Sequence, residues 1–291
     1  MVKFKKILGT IKRNLTFPRI IWYLCMLTVC LVVLLPVFFA ISASFHTNKE
    51  IMLGTFSIIP DKLDLSNYKR VWEYGNFAKY TWNSVYFAGV STIGTVVVVS
   101  MAAYAFARYE FPGKKVIFGI LCTTMFFSAG TAGLFQTMKI ANFLHINNSL
   151  NGVVIMNIFG AHITYMYLVK NFLASIPKEM DEAAIIDGAG FYQIYSKIML
   201  PMMSPILFTV AIMSFKSSWN SYLLPMIFTI TTPEKAPLAV AIQALKSSGA
   251  GAANWDIQTA ATVITMLPMI ILFCLFSKYF TGGLTEGAVK G

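Results

Sequence analysis

The side chains best suited to bind a small ligand are Lys216, Trp219 and Asn220. Lys216 precedes the other two by three and four residues, so a helix would place all three on one face. The indole ring could stack on a sugar, the amide could hydrogen-bond its hydroxyl groups, and a nearby cation would suit an acidic sugar. In the alternative interpretation, Lys216 extends its ammonium group towards water or pairs with a carbonyl, and Trp219 only packs. Asn83 is a weaker candidate for the same ligand path.

A second group of charged residues lies between two apolar segments, in residues 174–202. Three acidic side chains fall near the start of its first predicted helix, where the helix dipole favours anions: Glu179, Asp181 and Glu182. The pair Asp187-Gly188 should end this helix, since glycine accepts positive φ angles, and a second short helix should follow. Ala183 and Ala184 would let a partner's backbone approach closely. The alternative is an amphipathic segment on a membrane surface, although such helices more often carry Lys and Arg.

The sequence predicts neither a catalytic nor a metal site. No Gly-x-x-x-x-Gly-Lys-Ser/Thr phosphate loop occurs, so we expect no ATP site in this chain. The four cysteines lie inside apolar runs without the paired spacing of a zinc site or a disulfide framework: Cys25, Cys30, Cys122 and Cys274. His162 stands alone in an apolar run, where a structural hydrogen bond is the better interpretation.

These residues must be positioned by a polytopic membrane protein. Of the 291 residues, 57% are hydrophobic and only 12% are charged, which is too little polar surface to cover a soluble core of this size. A membrane span needs about 20 mostly apolar residues, and six stretches qualify. They are residues 20–44, 83–107, 115–137, 151–173, 203–230 and 259–280. The sequence therefore predicts an all-α protein with six transmembrane helices. The fifth stretch is too long for one straight crossing and should be tilted, kinked or broken near Lys216, Asn220 or Pro225.

The net charge of +11 is mainly a topology signal. The basic residues cluster at the ends of the apolar stretches, which argues against a nucleic-acid surface. With the N-terminus inside, fourteen Lys and Arg residues fall in cytoplasmic segments and eight in outer segments, so both termini are expected in the cytoplasm. The chain then divides into a basic N-terminus (1–19), a membrane domain (20–280) with a cytoplasmic loop (174–202) and outer loops (45–82, 138–150 and 231–258), and a cytoplasmic tail (281–291).

The predicted cytoplasmic loop carries a longer motif, composed of Glu182-Ala183-Ala184, Asp187-Gly188-Ala189, Ile198, Leu200-Pro201 and Pro205. This spacing, placed on the cytoplasmic side after an even number of spans, resembles the EAA loop of ABC-importer inner-membrane permeases. The resemblance implies a type I permease fold, in which this loop is a coupling helix that sits in a surface cleft of a cytoplasmic ATPase subunit.

Other stretches extend the resemblance to the carbohydrate-uptake branch, in the subunit type similar to the second maltose permease, and together they cover nearly the whole chain. They are Asn67-Tyr68, Asn83-Ser84, residues 103–108, residues 111–114, Ile176-Pro177, Trp219-Asn220 and the last five residues. One segment departs from the family pattern. Residues 126–133 lack the proline-containing sequence of many such permeases, so no substrate contact is transferred there.

The resemblance also implies roles for the motif residues. Glu182 would pair with a basic residue that lines the ATPase cleft. Ala183 and Ala184 would permit close packing there. Gly188 would allow the turn between the two short helices, and Asp187 and Ala189 complete this coupling set. A rigid joint to the fifth span would come from Ile198, Leu200 and Pro201. The outer loop 231–258 would insert into the docked binding protein, and the tail would reach the ATPase interface through Gly287, Ala288, Val289, Lys290 and Gly291.

The implied complex joins this chain to a second homologous permease, two ATPase subunits that bind Mg-ATP, and an external solute-binding protein, in a bacterial or archaeal cell membrane. The implied cargo is a sugar or oligosaccharide, and this chain would catalyse no reaction. Two alternatives stay open: an ABC permease for a polyamine or phosphate, and a self-sufficient secondary transporter. A secondary transporter usually carries buried acidic groups, whereas no Asp or Glu falls deep in the six predicted spans.

Overall fold

The computed structural model describes residues 17–55, 57, 59–60, 62–73, 76–126, 130–247 and 254–285, with side chains except those of 17–20, 245–247 and 277–285. The described residues form helices and connecting segments, without a β-strand. The helices are α1 (Phe17–Ala43), α2 (Asn48–Leu53), α3 (Ser66–Glu73), α4 (Phe77–Arg108), α5 (Lys114–Thr123), α6 (Gly130–Phe143), α7 (Leu150–Ile158), α8 (Ile163–Leu173), α9 (Glu179–Ile186), α10 (Phe191–Met202), α11 (Ser204–Trp219), α12 (Leu223–Thr229), α13 (Leu238–Ser247) and α14 (Trp255–Thr285).

Three of the predicted spans are single helices that are long and apolar enough to cross a membrane. These are Ile21–Ala43 within α1, Phe77–Arg108 and Trp255–Phe276 within α14. Two bent pairs also pass by length and composition, with a bend of 41° between α7 and α8 and of 77° between α10 and α11. The described residues therefore hold three such helices, or up to five candidate crossings if each bent pair is one span.

The predicted fourth span is not one continuous helix, which the sequence interpretation did not anticipate. It divides into α7 and α8 at residues 159–162. Gly160 lies in the break, and the His162 ring nitrogen Nε2 lies 2.6 Å from the carbonyl oxygen of Asn157. The same carbonyl also accepts from the Gly160 amide at 3.1 Å, so the His162 ring is a second partner at the end of the interrupted helix. The structural hydrogen bond expected for His162 is thereby confirmed.

The predicted fifth span is broken, as its length and polar residues indicated. Helix α11 ends at Trp219 and α12 begins at Leu223, with Asn220 between them as the C-cap of α11. The predicted third span is represented by α5 and α6, on either side of residues 127–129, which lie outside the described residues.

The described chain divides into two compact units, of which the first comprises the described parts of Met1–Val71 and Gly249–Val263. In this unit the buried Asn67 donates hydrogen bonds from Nδ2 to the carbonyl oxygens of Ser44 at 3.0 Å and His46 at 2.9 Å. Arg70 forms an ion pair with Asp256 at 2.7 Å, and the Asp256 side chain is only 5% exposed. These contacts fasten α3 to the end of α1 and to the start of α14.

The second unit comprises Trp72–Ser248 and Ile264–Gly291, again in their described parts. Its central element is α4, which packs against α7, α8 and α11. A Cβ atom on Gly94 of α4 would lie 2.4 Å from Ile158 Cδ1, so glycine permits the close approach of α4 and α7. Further along α4, the buried side chains of Val99, Ala103 and Tyr104 enter the main apolar core of this unit. All the site residues described below belong to this unit.

Candidate functional site

The segment 174–202 contains two helices separated by a sharp turn, as the sequence predicted. Helix α9 ends at Ile186, and Gly188 follows with a φ of +79°. The Ala189 amide donates to the carbonyl oxygen of Ala184 at 2.9 Å and the Gly188 amide to that of Ile185 at 3.0 Å, which closes the helix end. Only glycine adopts this left-handed conformation without a steric cost.

One side of α9 is fixed to α4 by a buried ion pair. Asp181 Oδ2 lies 2.9 Å from Arg108 Nε, and the two side chains are 14% and 6% exposed. Tyr104 donates a hydrogen bond to the other carboxylate oxygen at 3.2 Å, and Arg108 Nη2 donates to the carbonyl oxygen of Ile176 at 2.9 Å. Removing one partner would leave an uncompensated charge in a site that water reaches poorly. The sequence placed Asp181 at the helix start but gave no sign that Arg108, the last residue of α4, was its partner.

The opposite side of α9 is exposed. Glu182 and Ala183 face solvent, and Ile185 and Ile186 are exposed apolar side chains, the latter at 85%. Ala184 is instead buried in the apolar core of the unit, so the expectation that both alanines serve a partner is wrong for this one. Ile185 and Ile186 therefore form an exposed apolar pair on α9.

Helix α10 joins the loop firmly to α11. Its middle turn, Ile194–Met199, is a π-helix. The Tyr195 hydroxyl lies 2.7 Å from Ser100 Oγ on α4, and its ring packs on Tyr104 with 5.5 Å between centroids. The motif residues Ile198 and Leu200 are partly buried against the apolar core, whereas Pro201 is exposed in the last turn of α10. The predicted joint to the fifth span is thus packed, although no sequence signal indicated the π-helical turn.

A cavity of about 550 Å³ lies between α8 and α11. Its lining residues are Tyr165, Ile212, Met213, Lys216, Ser217 and Asn220. Lys216 lies in the last turn of α11, and its side chain is exposed, as are those of Ser217 and Asn220. Asn220 caps the helix by donating from Nδ2 to the Lys216 carbonyl oxygen at 3.0 Å. Two of the predicted ligand-path residues therefore meet at one cavity.

Trp219 does not share that cavity, and the expectation that it lies on the same face as Lys216 and Asn220 is wrong. Its side chain is buried, stacks on Phe215 at 5.7 Å between ring centroids, and donates from Nε1 to the carbonyl oxygen of Thr265 on α14 at 3.2 Å. The indole ring is therefore held by Phe215 and by the Thr265 carbonyl oxygen of α14. The aromatic residue that lines the cavity is Tyr165, whose ring stacks parallel to that of His162.

Replacing Trp219 by phenylalanine should therefore lower stability and leave substrate affinity unchanged. The variant loses the hydrogen bond to Thr265 and part of the buried ring, at a cost of about 1–3 kcal/mol. Thermal unfolding of the purified complex and the KM for uptake would be measured together. An unchanged melting temperature with a raised KM would place the indole ring in the substrate path instead.

Asn83 also lies away from the cavity. Its amide nitrogen donates to the carbonyl oxygens of Glu234 and Ala236, each at 3.0 Å, and the neighbouring Ser84 hydroxyl accepts from the Leu238 amide at 2.7 Å. Both side chains of this pair hold the segment that precedes α13. The structure gives Asn83 a structural role and does not bring it to Lys216.

Two further groups of predicted site residues are only partly covered. The tail residues Gly287, Ala288, Val289, Lys290 and Gly291 lie outside the described residues. Of the segment 231–258, the structure describes a 3₁₀ turn (Pro233–Lys235), α13 and the start of α14. Within the described residues there is no cluster of three or more His, Cys, Asp or Glu side chains that could hold a metal ion.

The described residues combine helices long and apolar enough to cross a membrane with a two-helix loop fixed to α4. Residues 16–285 match the family described as binding-protein-dependent transport system inner membrane component, and the chain belongs to this family. It is 31% identical over 283 residues to the arabinooligosaccharides transport system permease protein of Halalkalibacterium halodurans, covering 95% of this chain and 99% of that one. It is 30% identical over 259 residues to the diacetylchitobiose uptake system permease protein of Streptomyces coelicolor, covering 89% and 85%.

The fold also resembles a solved transporter structure. A chain from the crystal structure of a bacterial ABC transporter involved in the import of the acidic polysaccharide alginate superposes with a TM-score of 0.78 at 26% sequence identity. The match covers 90% of this chain and 95% of that chain. The all-α permease fold expected from the sequence is confirmed.

Proposed function

We propose that this chain is the permease subunit of an ATP-driven importer for a sugar or oligosaccharide. The observation that carries the proposal is the segment 174–202, whose inner side is fixed to α4 by the Arg108–Asp181 ion pair and whose outer side exposes Glu182, Ala183 and Ile186. An ATPase subunit needs a surface on which to act, and the exposed side of this loop offers one.

The contacts of the loop suggest how movement would be transmitted. A displacement of α9 would reach α4 through Arg108 and Tyr104, and α11 through the packed helix α10. Both α4 and α11 pack against each other in the main core. Because packed cores shift between discrete arrangements more readily than they deform, a push on the loop would move these helices together. The cavity beside Lys216 would then open to one side of the membrane or the other.

The proposed assembly contains a second homologous permease, two cytoplasmic ATPase subunits that bind Mg-ATP, and an external solute-binding protein. Both termini and the 174–202 loop would face the cytoplasm of a bacterial or archaeal cell. The names of the two permease relatives support a saccharide cargo, and the structural neighbour imports an acidic polysaccharide.

Reconstitution tests the proposal. The complete complex in proteoliposomes, with ATP on the side of the ATPase subunits and an oligosaccharide with the binding protein on the other, should hydrolyse ATP faster when the sugar is present and accumulate it. Omitting either the ATPase subunits or the binding protein should abolish accumulation. Sugar accumulation by this chain alone in an ion gradient would instead identify a secondary transporter, and stimulation only by a polyamine or phosphate would identify another cargo class.

A further inference from the structure

We propose that Lys216 binds the carboxylate of an acidic saccharide inside the cavity between α8 and α11. The inference rests on the proposed function and names the substrate class of that site. Lys216 lines the cavity together with Tyr165, Ser217 and Asn220, and its remaining lining is apolar. A single cationic group, whose side chain is exposed, therefore stands among hydroxyl, amide and aromatic groups.

The charge of Lys216 has no counter-charge at the cavity. None of the lining residues is acidic. Lys216 takes part in none of the ion pairs that join Arg70 to Asp256, Arg108 to Asp181 and Lys114 to Glu110. Ionisable side chains at membrane depth usually face a wet cavity and pair with one another, with a backbone carbonyl or with a ligand. A bound anion would supply the missing charge.

The carbonyl oxygen at the end of α11 does not replace that anion. The carbonyl oxygen of Lys216 itself already accepts hydrogen bonds from the backbone amide of Asn220 at 3.2 Å and from its side-chain amide at 3.0 Å. Asn220 thereby satisfies the end of α11 without the ammonium group. A lysine in the last turn can also stabilise the C-terminus of its helix through the helix dipole. That role does not require a cavity beside the lysine, so the cavity is the feature that points to a ligand.

The chemistry of the cavity favours a carboxylated sugar over other anions. At the one sugar unit beside Lys216, a carboxylate carries a single charge that one ammonium group balances, whereas a phosphate monoester carries about −1.5 to −2 at pH 7. The Tyr165 ring, held parallel to His162 at 5.5 Å between centroids, offers a flat surface for the C–H face of a pyranose. The hydroxyl of Ser217 and the amide of Asn220 suit sugar hydroxyl groups. The volume of about 550 Å³ lies within the usual range for small-ligand sites.

The test compares matched acidic and neutral probes in the complete reconstituted importer. The probes are short oligomers of galacturonate, mannuronate and guluronate, the same oligomers with their carboxyl groups methyl-esterified, and maltotetraose. We expect uptake of at least one uronate oligomer and a marked loss when it is esterified. Lys216→Met should lower kcat/KM for that oligomer by about 10- to 100-fold, as expected for a hydrogen bond to a charged group, and Lys216→Arg should restore most of it. The control Lys79→Met removes an exposed positive charge at the start of α4 and should change uptake little.

Each other outcome overturns the inference in a distinguishable way. Uptake of maltotetraose or of the esterified oligomers alone leaves the proposed function intact and removes the acidic substrate. Uptake of uronate oligomers that is unaffected by Lys216→Met removes the role of Lys216. A complex that assembles and is stimulated by none of these probes removes the inference, and the cargo is then sought among other neutral saccharides. If Lys216→Met does not assemble, Lys216→Gln and the esterified probes on the unaltered protein decide the same question.

Discussion

Replacing Arg108 by alanine is expected to abolish most ATP-coupled transport. The substitution leaves the Asp181 carboxylate buried without its partner, which costs about 3–5 kcal/mol when a buried pair is broken from one side. It also removes the hydrogen bond to the carbonyl oxygen of Ile176, so the start of the 174–202 segment loses a second attachment to α4. Since each 1.4 kcal/mol corresponds to about a tenfold change in an equilibrium, the attached form of the loop should become a minor species.

The exposed ion pair between Lys114 and Glu110 is the matched control. It is as short, at 2.8 Å, but the Glu110 side chain is 81% exposed. The hydrogen bond and the charge of Lys114 lower the pKa of Glu110 below its usual value, so this pair is also ionised at neutral pH. Lys114→Ala should change stability little and leave transport nearly unchanged, because exposed ion pairs contribute little. Substrate-stimulated ATP hydrolysis and uptake would be measured for both variants, and equal effects would show that the Arg108 pair is not what attaches the loop.

Replacing Gly188 by valine is expected to uncouple ATP hydrolysis from uptake while the complex still assembles. Gly188 has a φ of +79°, and no neighbouring atom lies within 4 Å of a Cβ placed there, so the penalty comes from the backbone alone. A left-handed conformation costs a non-glycine residue about 1–2 kcal/mol, and a β-branched residue is a genuine outlier there. The turn should therefore relax and move α9 relative to α10.

Gly190 provides the control on the same turn. Its φ is −78° with ψ near 167°, an extended conformation that valine readily adopts, and its Cβ position is equally open. Gly190→Val should retain coupled uptake, whereas Gly188→Val should show ATP hydrolysis without matching accumulation of sugar. Coupled uptake retained in both variants would mean that the turn geometry has no part in transmission.

The sequence was sufficient to predict the features that depend on hydropathy and on local backbone chemistry. Apolar length alone predicted α1, α4 and α14, and the Asp187-Gly188 pair predicted the turn after α9. The break after Trp219 was also predicted, because a lysine, an asparagine and a proline interrupted too long an apolar run. These signals depend on neighbouring residues in the chain, so they do not depend on which helices pack together.

Features that depend on packing were not predictable from one sequence. The Arg108–Asp181 pair joins residues far apart in the chain, and several basic residues could have met Asp181. Trp219 matched the helical spacing for a cavity residue, yet α14 occupies the face to which its ring turns. Ala184 was assigned to a partner together with Ala183, but one step along a helix rotates a side chain by about 100°, which is enough to bury one and expose the other. The break in the fourth span had a weak signal in Gly160 and His162.

The contact between this chain and an ATPase subunit can be measured directly at Ile186, the most exposed apolar side chain of α9. A photo-reactive amino acid at this position in the assembled complex should form a cross-link to the ATPase subunit, and the yield should change when ATP is bound. The same amino acid at Ile120 of α5, which is also an exposed apolar residue, should not react with the ATPase. Cross-links from position 186 only to lipid, or equal yields from both positions, would contradict the account that the 174–202 loop is where ATP-driven movement enters the permease.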